Sequence, residues 1–152
     1  RINDIVEAEP APTFPHADIL HLRKKGKYAI QFDLCQSFFC IPLDYQSQLY
    51  TGVWYQGSLL LLNSLPQGLK ISSSIQQAVI QMIFSMEMLQ RFKTVRPDFD
   101  PESFKQKLSS YSDDFIYITE SRTDILLAAE CILWCLREKG MKISMKKLSF
   151  FS

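Results

Sequence analysis

Two adjacent carboxylates, Asp113 and Asp114, lie in the run Tyr111-Ser112-Asp113-Asp114, with Leu108 before them and Phe115-Ile116-Tyr117-Ile118 behind. Alternating apolar residues on both sides of a short polar stretch predict a tight β-hairpin with the acids at its tip. Two carboxylates crowded at a tip repel each other unless a cation sits between them, so the pair points to a divalent ion. Asp-Asp is also an ordinary turn dipeptide. A third acid shifts the balance: Asp33 ends the strand-like run Ala29-Ile30-Gln31-Phe32. Three acids on strand ends or turns suggest a two-metal phosphoryl-transfer site.

The elements that must position these acids follow from local pattern. Tyr28 to Leu34 reads as a strand, and Ser37 to Ile41 as a helical turn broken at Pro42. Tyr50 to Tyr55 and Ser58 to Leu62 predict a hairpin around Gln56-Gly57, and Pro66-Gln67-Gly68 a turn. Ser72 to Arg91 carries Ile75, Val79, Met82, Ile83 and Met86 at helical spacing, which predicts one long amphipathic helix. Residues 93 to 103, with Pro97, Asp98, Asp100 and Pro101, read as a loop. A second helix is expected from about Thr123 to Lys139, with Ser121 or Thr123 as cap and Gly140 as terminator. Met141 to Phe151 ends in a strand-like segment. Before all of these, Pro10, Pro12 and Pro15 make residues 1 to 16 an extended arm, and residues 17 to 25 suggest a short helix ending near Gly26.

Composition narrows the function classes. The chain has 152 residues with 47% hydrophobic content, enough for one domain with a real core. Formal net charge is +1, so charge alone does not announce a nucleic-acid binder. Arg23-Lys24-Lys25 with Lys27, and Lys142 with Lys146-Lys147, form local basic clusters that suit either a solvated surface or phosphate contact. Cys35, Cys40, Cys131 and Cys135 make no Cys-x-x-Cys pair and only two histidines are present, which argues against zinc. Cysteines inside apolar segments behave as small core residues and fit a reducing compartment. Leu59 to Leu62 is far too short to span a bilayer. A chain that begins at Arg1 without a visible signal peptide reads as a fragment or a processed piece.

Four stretches, in order, resemble the motifs of reverse transcriptases of the retroviral, endogenous retroviral and long-terminal-repeat retrotransposon kind. Phe32-Asp33-Leu34 with Phe38-Phe39 and Ile41-Pro42-Leu43 resembles the first catalytic motif. Leu65-Pro66-Gln67-Gly68-Leu69-Lys70 with Ser72-Ser73 resembles the second, Tyr111-Ser112-Asp113-Asp114 the Tyr-x-Asp-Asp box, and Gly140-Met141 with Ser144-Met145-Lys146-Lys147 the fourth. A lone Tyr-x-Asp-Asp is a weak signal; four motifs in order are a strong one. The resemblance implies an α+β polymerase palm: a small antiparallel sheet with two long helices on one face, plus a fingers remnant. Residues 1–152 then form a single reverse-transcriptase-like domain fragment, with about 41–71 as a fingers-type hairpin, the rest mostly palm, and thumb and ribonuclease H absent.

The same resemblance implies roles. Asp33, Asp113 and Asp114 would be the catalytic acids, holding two Mg2+ or Mn2+ ions once substrate is bound. Phe38 resembles the aromatic gate beneath the incoming sugar, Gln67 and Gly68 the turn that touches the nascent pair, and Lys146 or Lys147 the basic residue near the triphosphate. The implied partners are an RNA or DNA template-primer and a deoxynucleoside triphosphate, with the thumb and ribonuclease H regions or another subunit completing the enzyme and no membrane involved. The setting would be intracellular, in cytoplasm or nucleus, or the virion. Gln36 departs from the family, standing where retroviral members often carry aspartate. Three functional readings stay open: an RNA-directed DNA polymerase palm, a truncated or domesticated module that binds or scaffolds without catalysis, and an RNA-dependent RNA polymerase palm. Phe38 and the Leu-Pro-Gln-Gly core argue against the last.

Overall fold

A computed structural model describes Asn3, residues 26–111 and residues 113–151. The arm expected over residues 1–16 and the helix over 17–25 lie outside the described residues, Asn3 apart. The core is a four-stranded antiparallel sheet. Its strands are β1 (Tyr28–Asp33), β4 (Leu108–Tyr111), β5 (Asp114–Thr119) and β6 (Ser149–Phe151), in the order β4-β5-β1-β6. A separate hairpin pairs β2 (Gly52–Tyr55) with β3 (Ser58–Leu61). Its two-residue turn is Gln56-Gly57, both at positive φ (47° and 77°), the backbone twist that matches two right-twisted strands.

Alternation sets which face of the main sheet is covered. Ile30 and Phe32 of β1 and Phe115 and Tyr117 of β5 are buried on one face. Phe32 and Phe115 are cross-strand partners whose rings stack at 4.8 Å. The helix α5 (Arg122–Glu138) lies on β1 and β5, and α4 (Pro101–Lys107) on β4 and β5. Fully buried Ala128, Cys131, Ile132 and Cys135 recur along α5 at spacings of three and four, which is the stripe that faces the sheet. Ser121 caps α5 by accepting from the Asp124 N–H, and Gly140, at φ 70°, follows its end.

Two sequence expectations need correction. The helix expected over Ser72 to Arg91 is two helices, α2 (Ser72–Ile83) and α3 (Met86–Val95). Ser85 takes extended backbone and its hydroxyl accepts from the Met88 N–H, so it starts a new helix where the apolar period alone would continue the old one. The loop expected over 93 to 103 holds the end of α3, to Val95, and the start of α4. Asp100 caps it by accepting from the Glu102 and Ser103 N–H groups, and Pro101 occupies the first turn, where its missing N–H costs nothing. A 3-10 turn at Ser37–Cys40 and a short helix α1 (Tyr45–Gln48) complete the chain between β1 and β2. All four cysteines are free. Among the described residues, no helix is long and apolar enough to cross a membrane.

Candidate active site

The three acids meet at one end of the main sheet because of strand register. Asp33 is the last residue of β1 and is paired directly with Asp114, the first residue of β5. Directly opposed residues of an antiparallel pair share a face, so Asp33 and Asp114 project to the same side. The Leu34 N–H donates to the Asp113 carbonyl at 3.3 Å, which ties the third acid to the same edge. The chain's fourth motif is fixed there too. Cys35 N–H donates to Lys142 O, Leu34 bridges Ile143, and Ser144 N–H donates to Asp33 O at 2.8 Å.

Each acid is held differently. Asp33 is 8% exposed, and its Oδ2 accepts from Lys147 Nζ at 2.6 Å. That hydrogen bond, with the negative charge of Asp33 and more weakly of Asp114 and Asp113, raises the Lys147 pKa above its ordinary value. One ammonium therefore feels all three carboxylates. Asp113 has different partners. Its Oδ1 accepts from Ser37 Oγ at 2.6 Å and from Gln76 Nε2 of α2, and Gln76 Nε2 also lies 2.5 Å from Ser37 Oγ. Gln36, held in left-handed backbone at φ 49°, turns the chain just before Ser37. Asp114 is exposed.

The remaining predicted residues fall around this edge unevenly. Phe38, on the 3-10 turn beside Ser37, is half-buried against the core rather than wholly free. Gln67 and Gly68 form an exposed turn, with Gly68 at φ 89°. Asn3 brackets that turn, donating to Gly68 O at 3.0 Å and accepting from Lys70 N–H at 2.9 Å. Lys146 is exposed, with no ion pair among the described residues; Lys147 is the lysine that reaches the acids. Sequence reasoning missed Ser37 and Gln76. The signal that could have found them is a pair of amides, Gln76-Gln77, inside the apolar stripe of α2, where both are buried.

The donor set suits a hard divalent cation only in part. Among the described residues, no group of three or more carboxylates, histidines or cysteines is gathered tightly enough to hold an ion. Asp33 is paired to an ammonium and Asp113 to two neutral donors. An ion here would take one or two carboxylates and complete its shell from water and substrate phosphates, which is how Mg2+ is commonly bound.

The family model described as reverse transcriptase (RNA-dependent DNA polymerase) matches residues 2–152. The chain belongs to this family. Solved structures agree on the fold. A foamy viral protease-reverse transcriptase in complex with an RNA/DNA hybrid superposes with a TM-score of 0.71 at 24% identity, covering 97% of this chain and 18% of that one. The foamy viral protease-reverse transcriptase dRH with double-stranded DNA gives a TM-score of 0.64 at 25% identity, covering 83% and 21%. The native Prototype Foamy Virus protease-reverse transcriptase gives a TM-score of 0.69 at 20% identity, covering 97% and 17%. The chain thus spans about a fifth of the length of these structures. No curated protein matches it by sequence at a level that marks a relative. The α+β palm expected from the four motifs is the fold observed.

Proposed function

We propose that this chain is the catalytic palm of an RNA-directed DNA polymerase, joining deoxynucleotides to a primer 3′-hydroxyl on an RNA or DNA template. The single observation that carries the reading is the register pairing of Asp33 with Asp114, with the Asp113 carbonyl accepting from the N–H of Leu34, the residue just after β1. Asp33, Asp113 and Asp114 are assigned as metal ligands. Divalent ions bound by them supply charge neutralisation for the triphosphate and a lowered pKa for the attacking hydroxyl. Phe38 is the gate that excludes a 2′-hydroxyl, and Gln67-Gly68 is the turn where substrate approaches the backbone closely. Lys147 is the better placed of the two lysines to reach the leaving pyrophosphate and hand it a proton, while Lys146 makes an outer phosphate contact. Template-primer grip depends on many phosphate contacts, which we assign to polymerase regions flanking the matched stretch or to another subunit. Four free thiols suit the reducing interior of a cell or a virion.

A second reading has one observation behind it. With Asp33 paired to Lys147 and no three-acid cluster among the described residues, a module that keeps the fold and binds or scaffolds without catalysis is also served by this arrangement. Primer extension on an RNA template separates the two, using the chain alone and with its flanking polymerase regions restored. Little or no extension by the chain alone, with activity on restoring the flanks that Asp113→Asn or Asp114→Asn abolishes, is the expected result. Inactivity in both forms would transfer the case to the scaffold reading.

A further inference from the structure

Gln76 sits on α2 with no exposed surface, on the buried side of the helix that also carries Ser72, Gln77, Ile80 and Ile83. Its Nε2 donates to Asp113 Oδ1 and approaches Ser37 Oγ, while its Oε1 is buried without a hydrogen-bond partner among the described residues. Leaving a buried amide oxygen unpaired destabilises a fold, whereas an apolar side chain of the same length would not. Packing therefore does not explain a glutamine here. What the amide does provide is a donor to Asp113. Both bonds to Asp113 fall on Oδ1, and neither uses Oδ2. The donors are neutral and buried, so they orient the carboxylate without supplying a competing charge. Lys147 contrasts with them: it meets Asp33 as a full cation with its side chain 67% exposed.

We propose that Gln76, together with Ser37, is a positioning residue that fixes the Asp113 carboxylate for a divalent cation, at the expense of an unpaired amide oxygen in the core. The inference rests on the assignment of Asp113 as a metal ligand. Partners that orient a metal-ligating group typically change metal affinity by about 10–100-fold when removed. Stability and affinity should then move apart. Gln76→Met keeps the volume, removes the unpaired oxygen and removes the donor.

The test is a Mn2+ titration of the whole chain followed by electron paramagnetic resonance, with thermal unfolding on the same samples. The expected result is that Gln76→Met weakens Mn2+ binding by about tenfold or more while the melting temperature holds or rises. In an Asp113→Asn background the same substitution should leave residual Mn2+ binding unchanged, which a general loosening of the fold would not. Ser37→Ala, a small change at a buried site, should show the same pattern at smaller size and carries the test if Gln76→Met fails to fold. Equal binding by the wild type and these variants overturns the inference alone. An equal loss in the Asp113→Asn background overturns it as well. A wild type that binds no Mn2+ overturns both the inference and the metal-ligand assignment beneath it.

Discussion

The strands that carry the acids and the Gly52–Leu61 hairpin have similarly apolar sequences and opposite surroundings. In β1 and β5, Ile30, Phe32, Phe115 and Tyr117 are almost wholly buried under helices. In β2 and β3 every residue is exposed, Trp54 to 75%. Hydrophobicity thus marks both as strands but says nothing about what covers them. The difference lies in partners: the main sheet has helices from its own chain on one face, whereas the hairpin leaves every residue of both its strands exposed and is hydrogen-bonded to the rest of the described fold near its base. There Leu43 N–H donates to Asn63 O, Leu65 N–H to Ile41 O, and Thr51 Oγ1 to the carbonyl of Gln48 in α1. The acid edge inherits rigidity from the covered sheet. Beyond its base, the hairpin is held within the described fold by its turn and its ladder.

Substitutions can break this contrast. The largest effect is expected for Phe115→Ala, which removes a fully buried ring stacked on Phe32 and edge-on to Phe84. Loss of about 3–5 kcal/mol is expected from chemical denaturation, and a loss below about 1 kcal/mol would mean the sheet face is not the core. A middle effect is expected for Asp124→Asn at the start of α5. Asp124 Oδ2 accepts from Lys107 Nζ at 2.7 Å, Thr119 Oγ1 at 2.7 Å and Tyr117 OH at 3.0 Å, joining helix, strand and α4. Burial by itself raises this carboxyl's pKa, but those three hydrogen bonds outweigh it and hold the group below its ordinary value. A depressed carboxylate contributes stability that is present above its unfolded pKa, near 3.8, and is lost as pH falls through the folded value. The variant should therefore be about 1–3 kcal/mol less stable at neutral pH, with the gap to wild type closing below about pH 4. A gap independent of pH would show that the charge is not what matters. The smallest effect is expected for Trp54→Ser on the hairpin, within about 0.5 kcal/mol. A larger loss in the isolated chain would show that the hairpin is covered after all.

Much of the site is legible in the amino-acid sequence. Asp33 and the Asp113-Asp114 pair stand out because they border apolar alternating runs, a local signal that strand register then turns into proximity. The Gln56-Gly57 turn and the Ser121 cap are legible for the same reason, since turn and cap chemistry is written within three or four residues. The break at Ser85 is not, because Ile83 and Met86 continue the apolar stripe across it and only the serine's hydrogen bond to Met88 reveals a new start. The helix after Asp100 is masked by Pro97 and Pro101, although Asp-Pro is a legitimate helix opening. Ser37 and Gln76 escape because their meaning depends on a partner, Asp113, that lies 76 and 37 residues further along.

Those separations also bear on how the molecule comes together in time. β4 and β5 are neighbours in sequence, so Asp113 and Asp114 can be presented by a hairpin that closes locally. Asp33 and Lys147, by contrast, are 114 residues apart, and the segment leading into β6 must reach β1 before the pair exists. Contacts of such range carry the largest loop-closure cost and form late. The prediction is that the acidic edge is the last part of the palm to assemble, with the local hairpin leading. Mutational analysis of refolding rates would show it as values near zero for Lys147 and the β1–β6 pairing, and values near one there would refute it.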